Sequence, residues 1–146
     1  MDNYWTFKVF VNEKGVDVID KWRNDLPPRD KERIRLRLAY MKTIRIWEPP
    51  LVKKLQGKKY DPIYEIRISG NKVEYRPLGF YGPGEKDFTL VIGARKKSGK
   101  RKKPSWEPPE ARETAKRRYE LIQKDKNKYI GEYNEDQQKF NNRTEK

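Results

Sequence analysis

The chain contains no cysteine and no histidine. The first absence removes disulfides and thiolate metal ligands, and the second removes the side chain whose ordinary pKa lies nearest neutrality. Acid–base chemistry, if there is any, must run on carboxylate, lysine, tyrosine or arginine. Apolar residues are scarce as well, 34% of 146 against 40% charged. No apolar run approaches the ~18 residues of a membrane span. The opening Met1-Asp2-Asn3-Tyr4-Trp5 has no basic stretch leading into an apolar one, so no secretory signal is expected. These absences lead to the expectation of a cytoplasmic protein with one thin-cored domain, in which the 12% aromatic residues supply the bulk. With the acids scattered and imidazole and thiol missing, neither a metal nor another cofactor is expected.

What the chain has in excess is positive charge, +14 in all and unevenly spread. Residues 1–50 carry 11 basic and 8 acidic side chains, residues 51–104 carry 15 and 5, and residues 105–146 carry 10 and 9. A basic excess confined to the middle third points to a polyanionic partner, nucleic acid above all.

The elements can be read in order. Trp5, Phe7, Val9 and Val11 alternate with polar residues and predict a half-buried strand over residues 4–11. Val18, Ile19, Trp22 and Leu26 recur at helical spacing up to Pro27-Pro28. From Pro28 to Trp47, Ile34 to Leu38 alternates like a strand, yet proline at the start, Asp30 and Glu32 in the first turn and the stripe Ile34, Leu38, Met41 and Ile44 favour a helix. Three β-rich runs follow: Tyr64–Ile68, Val73–Arg76 and Phe88–Ile92, separated by Ser69-Gly70-Asn71 and a glycine-rich turn over residues 79–87. They predict a three-stranded meander with Tyr64, Ile66 and Ile68 on a packed face and Glu65 and Arg67 on a free, charged one. Arg95 to Lys103 is basic at seven of nine positions and should be mobile unless an anion orders it. Ser105 to Glu110 looks like a helix start, and Ala111, Ala115, Tyr119 and Ile122 continue it. From residue 129 onward apolar periodicity disappears. The expected organisation is one α+β domain over residues 1–128, with a four-stranded sheet, two N-terminal helices and a C-terminal helix, followed by a polar, disordered tail over 129–146.

This order of elements, together with Lys53-Lys54-Leu55-Gln56-Gly57, Tyr64-Glu65-Ile66-Arg67-Ile68, Glu74-Tyr75-Arg76-Pro77-Leu78 and Leu90-Val91-Ile92-Gly93 with its exit Lys96-Lys97, resembles the RelE/ParE toxin superfamily. The phage-derived, HigB-like branch is the closest part, and the likeness spans roughly residues 4–125. The resemblance implies the toxin of a type II toxin–antitoxin pair: a ribosome-dependent, metal-independent endoribonuclease that cuts mRNA and is silenced by a cognate antitoxin, expected to be a helix-turn-helix protein. It also implies roles for single residues. Arg67 belongs to the proton-abstracting group, Arg76 stabilises the transition state, and Arg95 or Lys96 protonates the leaving group. Glu65 stands where RelE has a second lysine.

On chemistry alone, Glu65 is either the general base beside Arg67 or one rung of a charge ladder that solvates the sheet. Arg76 is either a phosphate ligand or a salt-bridge partner of Glu74. Lys53, Lys54, Lys72, Arg95, Lys97, Lys100 and Arg101 are candidate phosphate contacts, and Tyr81 and Trp106 are candidate stacking platforms for bases. Two further readings of the same fold remain: a ParE-like gyrase inhibitor, and a basic RNA-binding protein without chemistry. A prophage accessory protein, charged only for solubility, is a third.

Overall fold

The computed structural model describes residues 3–97 and 105–135. Among them the chain is α+β, with ten strands in two sheets and four helices.

The first strand, β1 (Thr6–Phe10), buries Phe7 and Val9 on one face and Phe10 on the other. α1 (Val18–Asn24) starts at Asp17, whose carboxylate accepts from the backbone N–H of Ile19 and of Asp20 at 3.0 and 2.9 Å, satisfying donors that a helix start leaves open. The stretch with two readings is a helix, α2 (Pro28–Lys42), with Ile34, Leu38 and Met41 buried along one stripe. After β2 (Val52–Lys54) and a single 3-10 turn at Lys58–Tyr60 come β3 (Tyr64–Ile66), β4 (Ile68–Ser69), β5 (Glu74–Tyr75), β6 (Leu78–Tyr81), β7 (Asp87–Ile92), β8 (Arg95–Lys97) and β9 (Ser105–Glu107). The chain closes with α3 (Ala111–Lys124), α4 (Lys126–Tyr129) and β10 (Ile130–Glu132).

The larger sheet has the order β10-β1-β7-β6-β3-β2 and the smaller one β4-β5-β8-β9. β1 runs parallel to β7, and the other ladders are antiparallel. A parallel neighbour requires a crossover, and α1 and α2 supply it. Their buried side chains join Phe7, Val9, Ile66, Phe88 and Leu90 in one core. On the other face Ala111, Ala115 and Ile122 of α3 pack with Phe10, Leu78, Phe80 and Val91 in a second. β7, buried at five successive positions from Phe88, lies between the two.

Several expectations are corrected. The four-stranded sheet is a six-stranded sheet beside a four-stranded one. The first meander run is split between the sheets, Arg67 separating β3 from β4; the second, Val73–Arg76, holds only β5, and after Arg76-Pro77 the stretch expected to lead into a glycine-rich turn at residues 79–87 forms a further strand, β6. Proline has no N–H for a ladder, and the Arg67 N–H instead donates to the Leu51 carbonyl at 3.0 Å. The face thought free is packed against α3 at β6 and β7, and on β3 Glu65, beneath Arg67, Arg76 and Lys96, is only 4% exposed. Ser105–Glu107 is a strand on β8, and the helix begins at Ala111. The boundary expected after residue 128 cuts through folded chain: Tyr129 is buried against Phe10, β10 extends the sheet beside β1, and Tyr133 packs on Phe7. The remainder of the expected tail, residues 136–146, lies outside the described residues, as does the part of the basic run from 98 to 103. Among the described residues no helix is long and apolar enough to cross a membrane.

A cationic cleft around a buried glutamate

Glu65 sits in the middle of β3, opposite Lys53 on β2 and Leu78 on β6. Directly paired residues point to the same side of a sheet, and Leu78 belongs to the core under α3. The carboxylate therefore faces inward on the α3 side. A buried carboxylate is tolerated only when paired, and three cations pair this one. Arg67 Nε donates to Oε2 at 3.2 Å, Arg76 Nε lies 3.6 Å from the same oxygen, and Lys96 Nζ lies 3.7 Å from Oε1.

The three cations come from different places. Arg67 follows β3 at the break between the sheets. Arg76 follows β5, its backbone N–H donating to the Ala94 carbonyl at 2.7 Å. Lys96 is in β8, in register with Glu74 on one side and Trp106 on the other, and its ammonium stands 4.8 Å from the Trp106 ring centroid. Glu65, Arg67, Lys96 and Trp106 line an open cleft of about 180 Å³. Lys53, Lys54, Leu55 and Gln56 also line it, as does Arg112 from the first turn of α3.

Six of the residues singled out in the sequence thus meet in one place: Lys53, Lys54, Glu65, Arg67, Lys96 and Trp106. Arg76 does not line the cleft. It is 8% exposed behind Glu65, with Nη1 donating to Glu74 Oε1 at 3.1 Å and to the Tyr75 carbonyl at 3.2 Å. The salt bridge to Glu74 is therefore real, and a contact to Glu65 accompanies it. Arg95 and Lys97 both engage Glu107 across the β8–β9 ladder. The hydrogen bond from Arg95, seconded by Lys97, holds the Glu107 carboxyl below the usual carboxylate range. Lys72 is exposed at the Asn71-Lys72 turn, in a left-handed conformation with φ 62°.

Tyr81 is away from the cleft. It closes β6 rather than sitting in a loop, and its ring meets Trp5, Tyr64, Trp47 and Phe88 with centroids 5.0 to 5.7 Å apart. Burial, then Tyr64, pushes its hydroxyl up to about 12. Lys100 and Arg101 lie outside the described residues.

Sequence reasoning missed Arg112. A lone arginine in a helix start that holds other charges carries no periodic signal; its nearness to Trp106 and the basic run is the one hint. No family model, curated protein or solved structure matches the chain.

Proposed function

We propose that the cleft binds single-stranded RNA and cleaves it through the RNA's own 2′-hydroxyl, and that the protein is a toxin-type mRNA endoribonuclease of the RelE/HigB kind acting on the ribosome. The observation that carries this reading is the Glu65 carboxylate at the floor of the cleft with Arg67 and Lys96 within 4 Å of it and the Trp106 indole adjoining.

Transesterification needs an acceptor for the 2′-hydroxyl proton, compensation for charge on the phosphorane, and a donor for the departing 5′-oxygen. Glu65 is the one acid in the lining and takes the proton. Arg67, with over a third of its side chain exposed, offers guanidinium N–H groups to the non-bridging oxygens. Lys96 protonates the 5′-oxygen as the P–O5′ bond breaks, leaving a 2′,3′-cyclic phosphate and a 5′-hydroxyl. Trp106 stacks on a base, which is sequence-tolerant. Arg76 acts as a positioning residue for Glu65. The element order of strand, two helices, strands and C-terminal helix supports the same family reading, and with it a helix-turn-helix antitoxin as partner.

The test is primer extension on mRNA bound to bacterial ribosomes in Mg²⁺ buffer, with the protein first treated with EDTA and freed of it, comparing the wild type with Arg67→Ala. Cleavage that is lost in the variant supports the reading. Uncut mRNA with the wild type contradicts it and leaves RNA binding without chemistry, or gyrase inhibition, as the function on this fold.

A further inference from the structure

Several cations at and beside the cleft are neutralised by acids. Arg67 and Lys96 share Glu65, Lys54 meets Asp61 at 3.2 Å, and Arg95 and Lys97 share Glu107. Among the described residues lining the cleft, Lys53 and Arg112 have no ion pair, and the Arg112 Nε is in addition buried without a hydrogen-bond partner. Its sequence neighbour Glu113 could have served, but that carboxylate accepts from Tyr60 Oη at 2.7 Å, and this hydrogen bond lowers the Glu113 pKa. Tyr60, so fixed, has its ring centroid 5.0 Å from the Arg112 Cζ, and the Trp106 ring centroid lies 6.0 Å from the same atom. Two aromatic rings thus adjoin a planar cation in the cleft lining whose Nε is buried and unpartnered, which calls for an explanation, and whose Nη groups make no hydrogen bond among the described residues and are the donors left for a ligand. A guanidinium in that state matches the oxygens of a phosphate.

We propose that Arg112 binds a second phosphate of the nucleic-acid strand, next to the one placed over Glu65 and Arg67. Trp106, between Lys96 and Arg112, then carries the base that lies between the two phosphates. The proposal rests on the reading of the cleft as an RNA site. It adds a ligand-binding residue on α3, an element to which neither charge clustering nor the family resemblance had assigned one.

The test is binding of a fluorescein-labelled 2′-O-methyl RNA oligomer, which cannot be cut through its 2′ position, followed by anisotropy over a salt series. Wild type is compared with Arg112→Met and Arg112→Lys, each checked for an unchanged melting temperature. A lost phosphate contact makes the slope of log K against log salt shallower by about 0.7 for single strands. The expected result is that shallower slope with weaker binding for Met, and a wild-type slope for Lys, which keeps a point charge. If wild type binds and Met retains its slope, the Arg112 assignment is overturned while the RNA reading stands. If Met and Lys lose affinity equally with unchanged slopes, Arg112 is only a packing residue and the assignment is again overturned. If wild type does not bind the oligomer, both the assignment and the RNA reading fall.

Discussion

Glu65 and Arg76 approach to 3.6 Å between Oε2 and Nε, an ion pair too long to be a hydrogen bond, and the Arg76 Nε has no hydrogen-bond partner among the described residues. Arg76 thus holds the carboxylate electrostatically from behind, while Arg67 and Lys96 hold it from the cleft. Removing one partner of a buried pair leaves an uncompensated charge and costs about 3–5 kcal/mol. Because two cations remain beside Glu65, Arg76→Ala should lose the lower part of that range, about 3 kcal/mol. Chemical denaturation with an unchanged m-value measures this. A loss below about 1 kcal/mol would show that the pair is not coupled to the fold. Arg76→Ala is therefore a poor probe of chemistry, and Arg67→Ala a better one.

Tyr75 Oη donates to Asp30 Oδ2 at 2.6 Å, joining β5 to the first turn of α2 with both residues buried. Tyr75→Phe leaves the carboxylate without that donor and should destabilise the protein by about 2 kcal/mol. Thermal melting of the variant checks it. Gly70 borders the same contact, since a Cβ there would stand 2.7 Å from the Tyr75 ring.

Alkaline pH tests the two perturbed tyrosines. Burial, followed by the Asp30 hydrogen bond, pushes Tyr75 up to about 12, and burial does the same to Tyr81. Both folded values lie above the unfolded one near 10, so the stability they contribute is complete below pH ~10 and is lost as pH rises towards 12. Tyr75 and Tyr81 should ionise late when phenolate absorbance is followed in the folded protein and in its Tyr75→Phe and Tyr81→Phe variants. Loss of absorbance change near pH 10 in either variant would contradict the packing described.

At the acid end, Glu107 has the opposite sign. Arg95 and Lys97 lower its pKa, so its contribution is present above the ordinary carboxylate value and disappears as pH falls through the lowered one. Amide exchange across β8 and β9 should therefore speed up on acidification relative to β7, and Glu107→Gln should abolish that difference.

Gly93→Ala should prevent folding or cost about 3 kcal/mol or more, because a Cβ at Gly93 would lie 1.9 Å from Trp22 Cδ2. The backbone there passes directly beneath the indole. Soluble yield and near-ultraviolet circular dichroism report the outcome, and a native-like spectrum would refute the close approach.

The sequence made some of this legible and concealed the rest for physical reasons. β1, α2 and α3 were readable because alternation in Phe7 and Val9 and helical spacing in Ile34, Leu38 and Met41 or Ala111 and Ala115 are local. The burial of Glu65 was not, because the same alternation fits a solvated face unless one knows that Arg76 and Lys96, distant in sequence, come to lie against it. Trp106 followed by Glu107-Pro108-Pro109 imitates a helix start, and its pairing with Lys96 joins two separate strands. β10 has a single branched apolar residue, Ile130, and is held by its ladder to β1, with Gly131 pressed near Val11. The site was recognised as a set of residue types, and six of them converge. Arg76 went to a supporting position, and Tyr81 went to an aromatic cluster because four large rings pack against it.

The most direct test of the central claim is the single-turnover rate of mRNA cleavage on ribosomes in Mg²⁺ buffer, with EDTA-treated and desalted protein, for wild type and Glu65→Gln of matched thermal stability. Losing a positioned general base costs about 10²–10⁴-fold. The account predicts cleavage by the wild type, with 2′,3′-cyclic phosphate ends, and a fall of at least about 100-fold in the variant. Equal rates for the two proteins, or no cleavage by the wild type, would contradict it.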